Sequence, residues 1–318
     1  MSDSVHLLVP FAHAAADGCA QALRGLRLPH FERLLARLAV ESTDKGDPHS
    51  LSTPHERALA RAYALPPVEG LIPFAALQAA QAGATDARDE GWAWVSPGHW
   101  RVGRDRVAMA QPADLQLEAA ESQALLAAMQ PYFAEDGITL AYDAPMRWLA
   151  RGALFRTLPT ASLDRVVGRT IDPWMPAGEA GRPLRRLQQE MQMLLYTLPL
   201  NDARQRGGRL PVNSVWVSGT GALPAGYAPQ APAHLQVASS LRDAALLGDW
   251  AAWASAWQQL DAGEGPRLVE ALEGGREVRI TLCGEASART WSSRGAGLWR
   301  RLSARFTAKP VAGAVEDL

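Results

Sequence analysis

Hydrophobic and polar positions change period several times along this chain, and each change marks an element. Val5 to Ala12 is a short apolar run that predicts a buried parallel strand. Ala14 to Leu26 is Ala-rich and predicts a helix. In the next segment Phe31, Leu34, Leu35 and Leu38 share one face behind Pro29, which predicts a second helix over 28–38. Residues 41–53 are polar, contain Gly46 and Pro48, and predict a loop. Thr53-Pro54, with Glu56 in the first turn, opens a helix through Ala64 that Pro66-Pro67 stops. A short helix over 71–83 and a polar loop over 84–91 follow.

Trp92–Val95 and Trp100–Met109 read as strands around the turn Ser96-Pro97-Gly98-His99. A helix over 117–133 leads to strands at 138–142 and 146–150, so 86–157 reads as a compact α+β unit. Ser162 to Gly168 predicts a short helical turn, with Asp164/Arg165 and Arg169/Asp172 as charge pairs. Leu184, Leu187, Met191, Leu194 and Leu195 then recur at helical spacing, ended by Pro199. A polar connection over 201–208 leads to a strand at 212–217 and a turn, Ser218-Gly219-Thr220-Gly221. In open α/β sheets ligands bind at the carboxyl ends of strands, which makes that turn a candidate site. The proline-rich stretch 222–233 predicts an extended crossing. After it come a weak strand at 237–240 and a helix over 241–262 whose Trp250, Trp253 and Trp257 share one face and read as core. A short helix at 268–272 and a strand at 278–282 complete the pattern. From Arg289 onward the chain is a basic amphipathic segment (Trp291, Leu298, Trp299, Leu302, Phe306).

Composition narrows the function classes. The chain has 318 residues and a net charge of −1, and a broad nucleic-acid surface needs a basic excess. Cys19 and Cys283 are too few and too far apart for a disulfide framework or a zinc site. No apolar run reaches the length of a membrane span, and the N-terminus lacks a signal-peptide pattern, so no membrane association and a cytoplasmic location are expected.

The candidate chemistry is sparse. None of the seven histidines follows position 234, and none forms HxxxH or HExxH. His55 follows Thr53-Pro54, so Thr53 is either a nucleophile beside its base or a helix N-cap. The turn Ser218–Gly221 lacks a P-loop lysine and does not fit GxGxxG. It either offers backbone amides to a phosphate or is a tight strand exit. Asn213, in a buried strand, needs hydrogen-bond partners.

The fragments LPHFERLLARL, STPHERALARAYAL, PTASLDRVVGR, LQQEMQMLLYTLPLND and LPVNSVWVSGTG resemble the E-type regulator-of-pathogenicity-factors proteins, often labelled cofactor-independent phosphoglycerate mutases. The resemblance spans about 5–290. A more remote similarity leads to the archaeal-type mutases and the alkaline phosphatase superfamily, through an Asn-x-x-Trp-x-x-Gly-x-Gly pattern at Asn213, Trp216, Gly219 and Gly221. It implies a parallel sheet flanked by helices, two metal ions, and a Ser or Thr that becomes phosphorylated. The implied nucleophile region falls on Ser52-Thr53-Pro54-His55. The implied metal-ligand Asp after the first strand is replaced by Leu8-Val9-Pro10-Phe11-Ala12, and the implied late Asp-His pair by Cys283-Gly284-Glu285. A compensating set from Asp17, His55, Asp249, Asp261 and Glu285 has no supporting spacing.

The expected fold is therefore α/β, a mainly parallel sheet flanked by helices with an alkaline-phosphatase-like core over 1–85 and 158–290. A small α+β unit is inserted at 86–157, and a basic amphipathic tail runs over 291–318. The expected function is that of a non-catalytic, metal-ligand-depleted relative that binds a ligand or regulates, with no cofactor and no metal. The alternative is a metal-dependent phosphoglycerate mutase or phosphatase using divalent metal ions, with Thr53 and His55 catalytic. Ligand contacts are expected at Asn213, Ser218, Gly219, Thr220 and Gly221, and the partner is a small phosphorylated metabolite or a regulatory protein. A DNA-binding regulator is the third class, and the near-neutral charge speaks against it.

Overall fold

A computed structural model describes residues 4–229, 232, 234–294 and 310–318. The chain divides into two compact units: Met1–Ala64 with Ala231–Leu318, and Leu65–Gln230.

The first unit is built on β1 (Ser4–Val9), β2 (Ala39–Asp44), β9 (Leu235–Val237), β10 (Glu277–Cys283) and β11 (Ala288–Ser292). Their order is β2-β11-β10-β1-β9. β1 runs parallel to β9 and β10, whereas β10–β11 and β11–β2 are antiparallel. The sheet is thus mixed, where a mainly parallel one was expected. Helices α1 (Asp17–Gly25), α2 (Pro29–Arg37), α8 (Ser240–Leu247) and α9 (Trp250–Glu273) belong to this unit. Strand residues Leu7, Val9, Val278, Ile280 and Leu282 share one core with Phe31 and Leu34 of α2 and Trp253 and Trp257 of α9. Trp257 meets Phe31 and Trp253 edge-on, at 85° and 87°, the arrangement aromatic quadrupoles favour. The N-cap of α2, Leu28, offers no side-chain bond. Asp261 of α9 replaces it: Oδ1 accepts from His30 N at 3.0 Å and Phe31 N at 2.9 Å. On the opposite face α3 (Pro54–Ala62) covers Leu8, Cys283 and Ala288 through Ala58 and Leu59.

The second unit holds an antiparallel sheet of β6 (Thr139–Ala144), β7 (Arg147–Arg151), β3 (Trp92–Gly98) and β8 (Ser214–Gly221), in that order. A ribbon of β4 (Trp100–Val102) and β5 (Val107–Met109) stands beside it in sequence. Leu125, Met129 and Phe133 of α5 (Ala119–Glu135) and Leu184, Leu187 and Met191 of α6 (Arg182–Tyr196) pack with Val95, Trp148, Val215 and Val217. Trp94, on the other face of β3, stacks on Phe74 of α4 (Phe74–Gln81) at 6.1 Å and donates to Gln78 at 2.7 Å. Arg204 of α7 (Pro199–Arg206) is fully buried, paired with Glu121 at 2.6 Å and bonded to the carbonyls of Leu210 and Leu115.

Several expectations change. The insertion spans 65–230 where 86–157 was expected, because β8 pairs with β3 instead of joining the parallel strands. The predicted loop at 41–53 begins with β2, an exposed edge strand whose polar residues face solvent and so give no apolar signal. Pro199 ends one helix and sits in the first turn of the next, α7, where a polar connection was expected. Gly248, at φ +69°, splits the predicted 241–262 helix, and α9 absorbs the short 268–272 helix. The tail contributes Trp291 to β11 and ends in α10 (Ala312–Val315). Its Leu298, Trp299, Leu302 and Phe306, and positions 230, 231 and 233 of the 222–233 crossing, lie outside the described residues. Among the described residues no helix is long and apolar enough to cross a membrane.

Candidate functional site

The carboxyl ends of the parallel strands β1 and β10 are where an α/β sheet places a ligand. Here they are apolar and closed. After β1, Phe11 takes φ +52° and is 3% exposed. Its carbonyl accepts the Trp253 indole N–H at 2.8 Å, and Ala12 N donates to Cys283 O at 2.7 Å. A non-glycine residue in the left-handed region is strained and needs such ties. Cys283 is fully buried, and burial pushes its thiol far above the usual range. A Cβ on Gly284 would lie 2.3 Å from the main-chain oxygen of Leu318, and Ser287 N donates to that oxygen at 3.3 Å. The segment 311–318 therefore packs against the turn after β10, with Val311, Val315 and Leu318 buried.

The structure brings Thr53 and His55 to this end. The His55 ring lies 5.8 Å from the Phe11 ring, and Thr53 Oγ1 is 3.2 Å from His55 Nε2. Thr53 also caps α3: Oγ1 accepts from Glu56 N at 3.4 Å, and Thr53 N donates to Glu56 at 2.8 Å, a complete capping box. Both readings of Thr53 thus have geometry behind them, but Thr53 is 2% exposed and His55 9%, so a substrate does not reach either without rearrangement.

The compensating metal set does not assemble. Asp249 caps α9 through Ala252 N at 2.9 Å, Asp261 caps α2, and Glu285 accepts from Ala15 N at 2.8 Å. Asp17 sits in the first turn of α1. Among the described residues no group of three or more His, Cys, Asp and Glu could hold a metal ion. A two-metal phosphoryl-transfer centre does not fit this donor set. A cavity of about 230 Å³ in the same unit is lined by His6, Asp44, Arg61, Arg279 and Thr281. Its charges are internally paired: Arg61 with Asp44 at 2.8 Å, and Arg279 with Glu41 at 2.8 Å. The Asp44 carboxyl sits below the ordinary carboxylate range: burial opposes this, and the bonds from Arg57 and Arg61 outweigh it.

In the second unit, Ser218-Gly219-Thr220-Gly221 is not a turn at the edge of a parallel sheet. It is the last half of β8, in an antiparallel one. Gly219 (φ +63°) is required because a Cβ there would lie 2.7 Å from the Trp94 ring; Gly221 (φ +140°) sits against Pro73. The Thr220 hydroxyl is within reach of Leu158 O (2.8 Å), Gly70 O (3.0 Å) and Thr160 Oγ1 (3.0 Å). It donates to a carbonyl, accepts from Thr160, and knits three segments. Ser218 is buried. Asn213, expected in a buried strand, is half-buried just before β8, and its amide bonds the backbone of Trp100.

Sequence reasoning missed a cavity of about 720 Å³ in this unit. It is lined by His99, Trp100, Val102, Ile171, Met175 and Tyr196, with Asp172, Asp202 and Asn213 among the polar groups. That volume lies in the range of small-molecule sites. Its residues come from the β3–β4 turn and β4, from β5, the segment after Thr170, the end of α6, α7 and the stretch before β8, too scattered for any motif. Of its polar residues, the sequence singled out Asn213 as needing partners and Asp172 only as half of a charge pair.

Among solved structures the chain is similar to a cofactor-independent phosphoglycerate mutase from Thermoplasma acidophilum DSM 1728, at 11% identity and a TM-score of 0.37, over 91% of this chain and 89% of that one. It is also similar to the PH0037 protein from Pyrococcus horikoshii, at 11% identity and a TM-score of 0.47, over 92% and 87%. Neither similarity bears on activity. No family model and no curated protein sequence matches the chain.

Proposed function

We propose that this chain is a non-catalytic relative of the cofactor-independent phosphoglycerate mutases that binds a ligand or regulates a partner and does not transfer phosphate. The observation that carries the reading is the side-chain set at the carboxyl ends of β1 and β10. Pro10-Phe11-Ala12 and Cys283-Gly284 stand where cation ligands are implied, and residues 311–318 pack on the turn beyond. Two cations held close together need several anionic or imidazole donors around them. Glu285, the carboxylate in the turn after β10, is bonded to the backbone amide of Ala15. His13 sits half-buried there with its pKa lowered, burial outweighing the attraction of Glu285 and Glu316.

A second reading, hydrolysis by Thr53 with His55 as base, is favoured by their 3.2 Å separation. The burial of both groups and the use of the hydroxyl as a helix cap weigh against it. Metal analysis of protein purified without chelators tests the proposal. Manganese and zinc well below one ion per chain are expected, and two firmly held ions per chain would overturn it.

A further inference from the structure

Large apolar side chains left in water are informative when they gather on one face. Among the described residues the three most exposed are Tyr196, Val102 and Met193, at 85%, 82% and 73%. All three belong to the second unit. Tyr196 and Val102 line the cavity of about 720 Å³, and Met193 lies three residues before Tyr196 on the same side of α6. The same face carries charge of both signs that the chain does not pair within itself. Asp172 and Asp202 line the cavity and are exposed, and neither is in an ion pair among the described residues. The hairpin of β4 and β5, whose Val102 and Val107 line the same cavity, turns through Gly103-Arg104-Asp105-Arg106. That loop is exposed throughout, and among the described residues Arg104 and Arg106 are in no ion pair either. Arg101, beside it, is paired with Asp114 at 3.2 Å.

We propose that this face joins two copies of the chain in an isologous dimer, the hairpin of each copy seated at the cavity mouth of the other. Val102 packs on Tyr196 and Met193 of the second copy, and Arg104 and Arg106 meet its Asp172 and Asp202. Hairpin and cavity are neighbours in one patch, so a two-fold axis makes every contact twice. A second copy is the partner that fits, because the patch carries both halves of the match: exposed apolar surface for its own kind, and two unpaired cations for two unpaired carboxylates. A partner of one charge sign would leave half of the patch unmet. The inference goes beyond the binding or regulatory role proposed above, and the metal content of the chain does not enter its test.

Sedimentation velocity of the full chain decides the matter. Two chains per particle are expected as concentration rises from about 1 to about 100 µM, the range of an interface of modest area, with weaker association in added salt. Arg104→Glu with Arg106→Glu sets carboxylates against carboxylates, and Asp172→Arg with Asp202→Arg sets guanidiniums against guanidiniums. Each of these chains alone is expected to associate about tenfold or more weakly than wild type, because like charges then face each other. An equimolar mixture of the two is expected to recover the dimer, since every charged contact is then between opposite signs. All four positions are exposed, so the urea midpoints are expected to stay in place, and recovery in the mixture separates a broken contact from a broken fold. Val102→Glu is expected to leave the chain monomeric. A wild-type chain still monomeric at about 100 µM, or a mixture no more associated than its two components, would overturn the proposal. A face that serves a different protein gives the first of these results.

Discussion

Asn213 and Trp100 close a two-bond ring across the start of β8: Trp100 N donates to Asn213 Oδ1 at 2.7 Å, and Asn213 Nδ2 donates to Trp100 O at 2.9 Å. The amide thus acts as one rung of a β-ladder and sets the position of the cavity's main aromatic wall. Asn213→Ala leaves both backbone groups without their partner, and a loss of about 2 kcal/mol is expected. Asn213→Asp keeps the acceptor and turns the second contact into repulsion. Urea unfolding should rank the three proteins wild type, then both variants well below it. A midpoint unchanged in Asn213→Ala would remove this role.

Thr220 makes a similar case inside β8. Its hydroxyl touches three partners in a site with no solvent access. Thr220→Val keeps the shape and abandons the partners, which costs roughly 1–3 kcal/mol. Thr220→Ser keeps the hydroxyl and loses one methyl, which costs about 1 kcal/mol. The serine variant should therefore be the more stable of the two; the reverse order would mean that Thr220 serves packing alone.

Gly219 and Gly137 both take positive φ, but only Gly219 has a neighbour in the way of a side chain. Gly137→Ala should cost only the left-handed strain, about 1–2 kcal/mol. Gly219→Ala adds a Cβ 2.7 Å from the Trp94 ring and should cost clearly more. Equal losses in thermal or urea unfolding would show that Trp94 moves aside freely.

His6 makes the first unit acid-sensitive. Burial, then the neighbouring Arg279, lowers its pKa to about 4, and its Nε2 bonds Thr281 Oγ1 at 2.9 Å. Arg61, Asp44 and Glu41 line the same cavity. In the window between about 4 and the unfolded value near 6.5 the unfolded chain binds more protons than the folded one. Stability from this group is therefore complete above 6.5, falls with pH through that window, and is lost below about 4. A loss on the order of 3 kcal/mol is expected across it. His6→Asn should flatten the slope of the urea midpoint against pH between 4 and 6.5, and an unchanged slope would assign the sensitivity to other groups.

The amphipathic helices were legible because their apolar spacing is strong: α2, α5 and α6 all lie where Phe31, Leu125 and Leu187 predict them. β1 and β10 were legible as short apolar runs, and the parallel pairing expected for β1 is the one observed. What escaped depends on partners remote in sequence. β2 is polar because it is an edge strand, so Glu41 and Ser42 looked like loop. The glycines of β8 resembled a phosphate-binding turn because positive φ is needed in both settings; that Gly219 serves Trp94 is a tertiary fact. Thr53 was readable as a cap from Glu56 three residues on, whereas its approach to Phe11 through His55 was not. The cavity around Trp100 draws its walls from six separate segments and left no local pattern.

The central proposal is that the carboxyl ends of β1 and β10 do not transfer phosphate. Its most direct test is a phosphoryl-transfer assay with 3-phosphoglycerate and p-nitrophenyl phosphate, supplied with Mn2+ or Zn2+, on wild type, Thr53→Ala and Thr53→Ser. Thr53→Ala loses a helix cap at a cost of about 1 kcal/mol, so retention of fold is checked by circular dichroism. The account predicts turnover no higher than that of heat-inactivated protein, and the same value in all three chains. A saturable, metal-dependent rate in wild type that collapses in folded Thr53→Ala and returns in Thr53→Ser would contradict it.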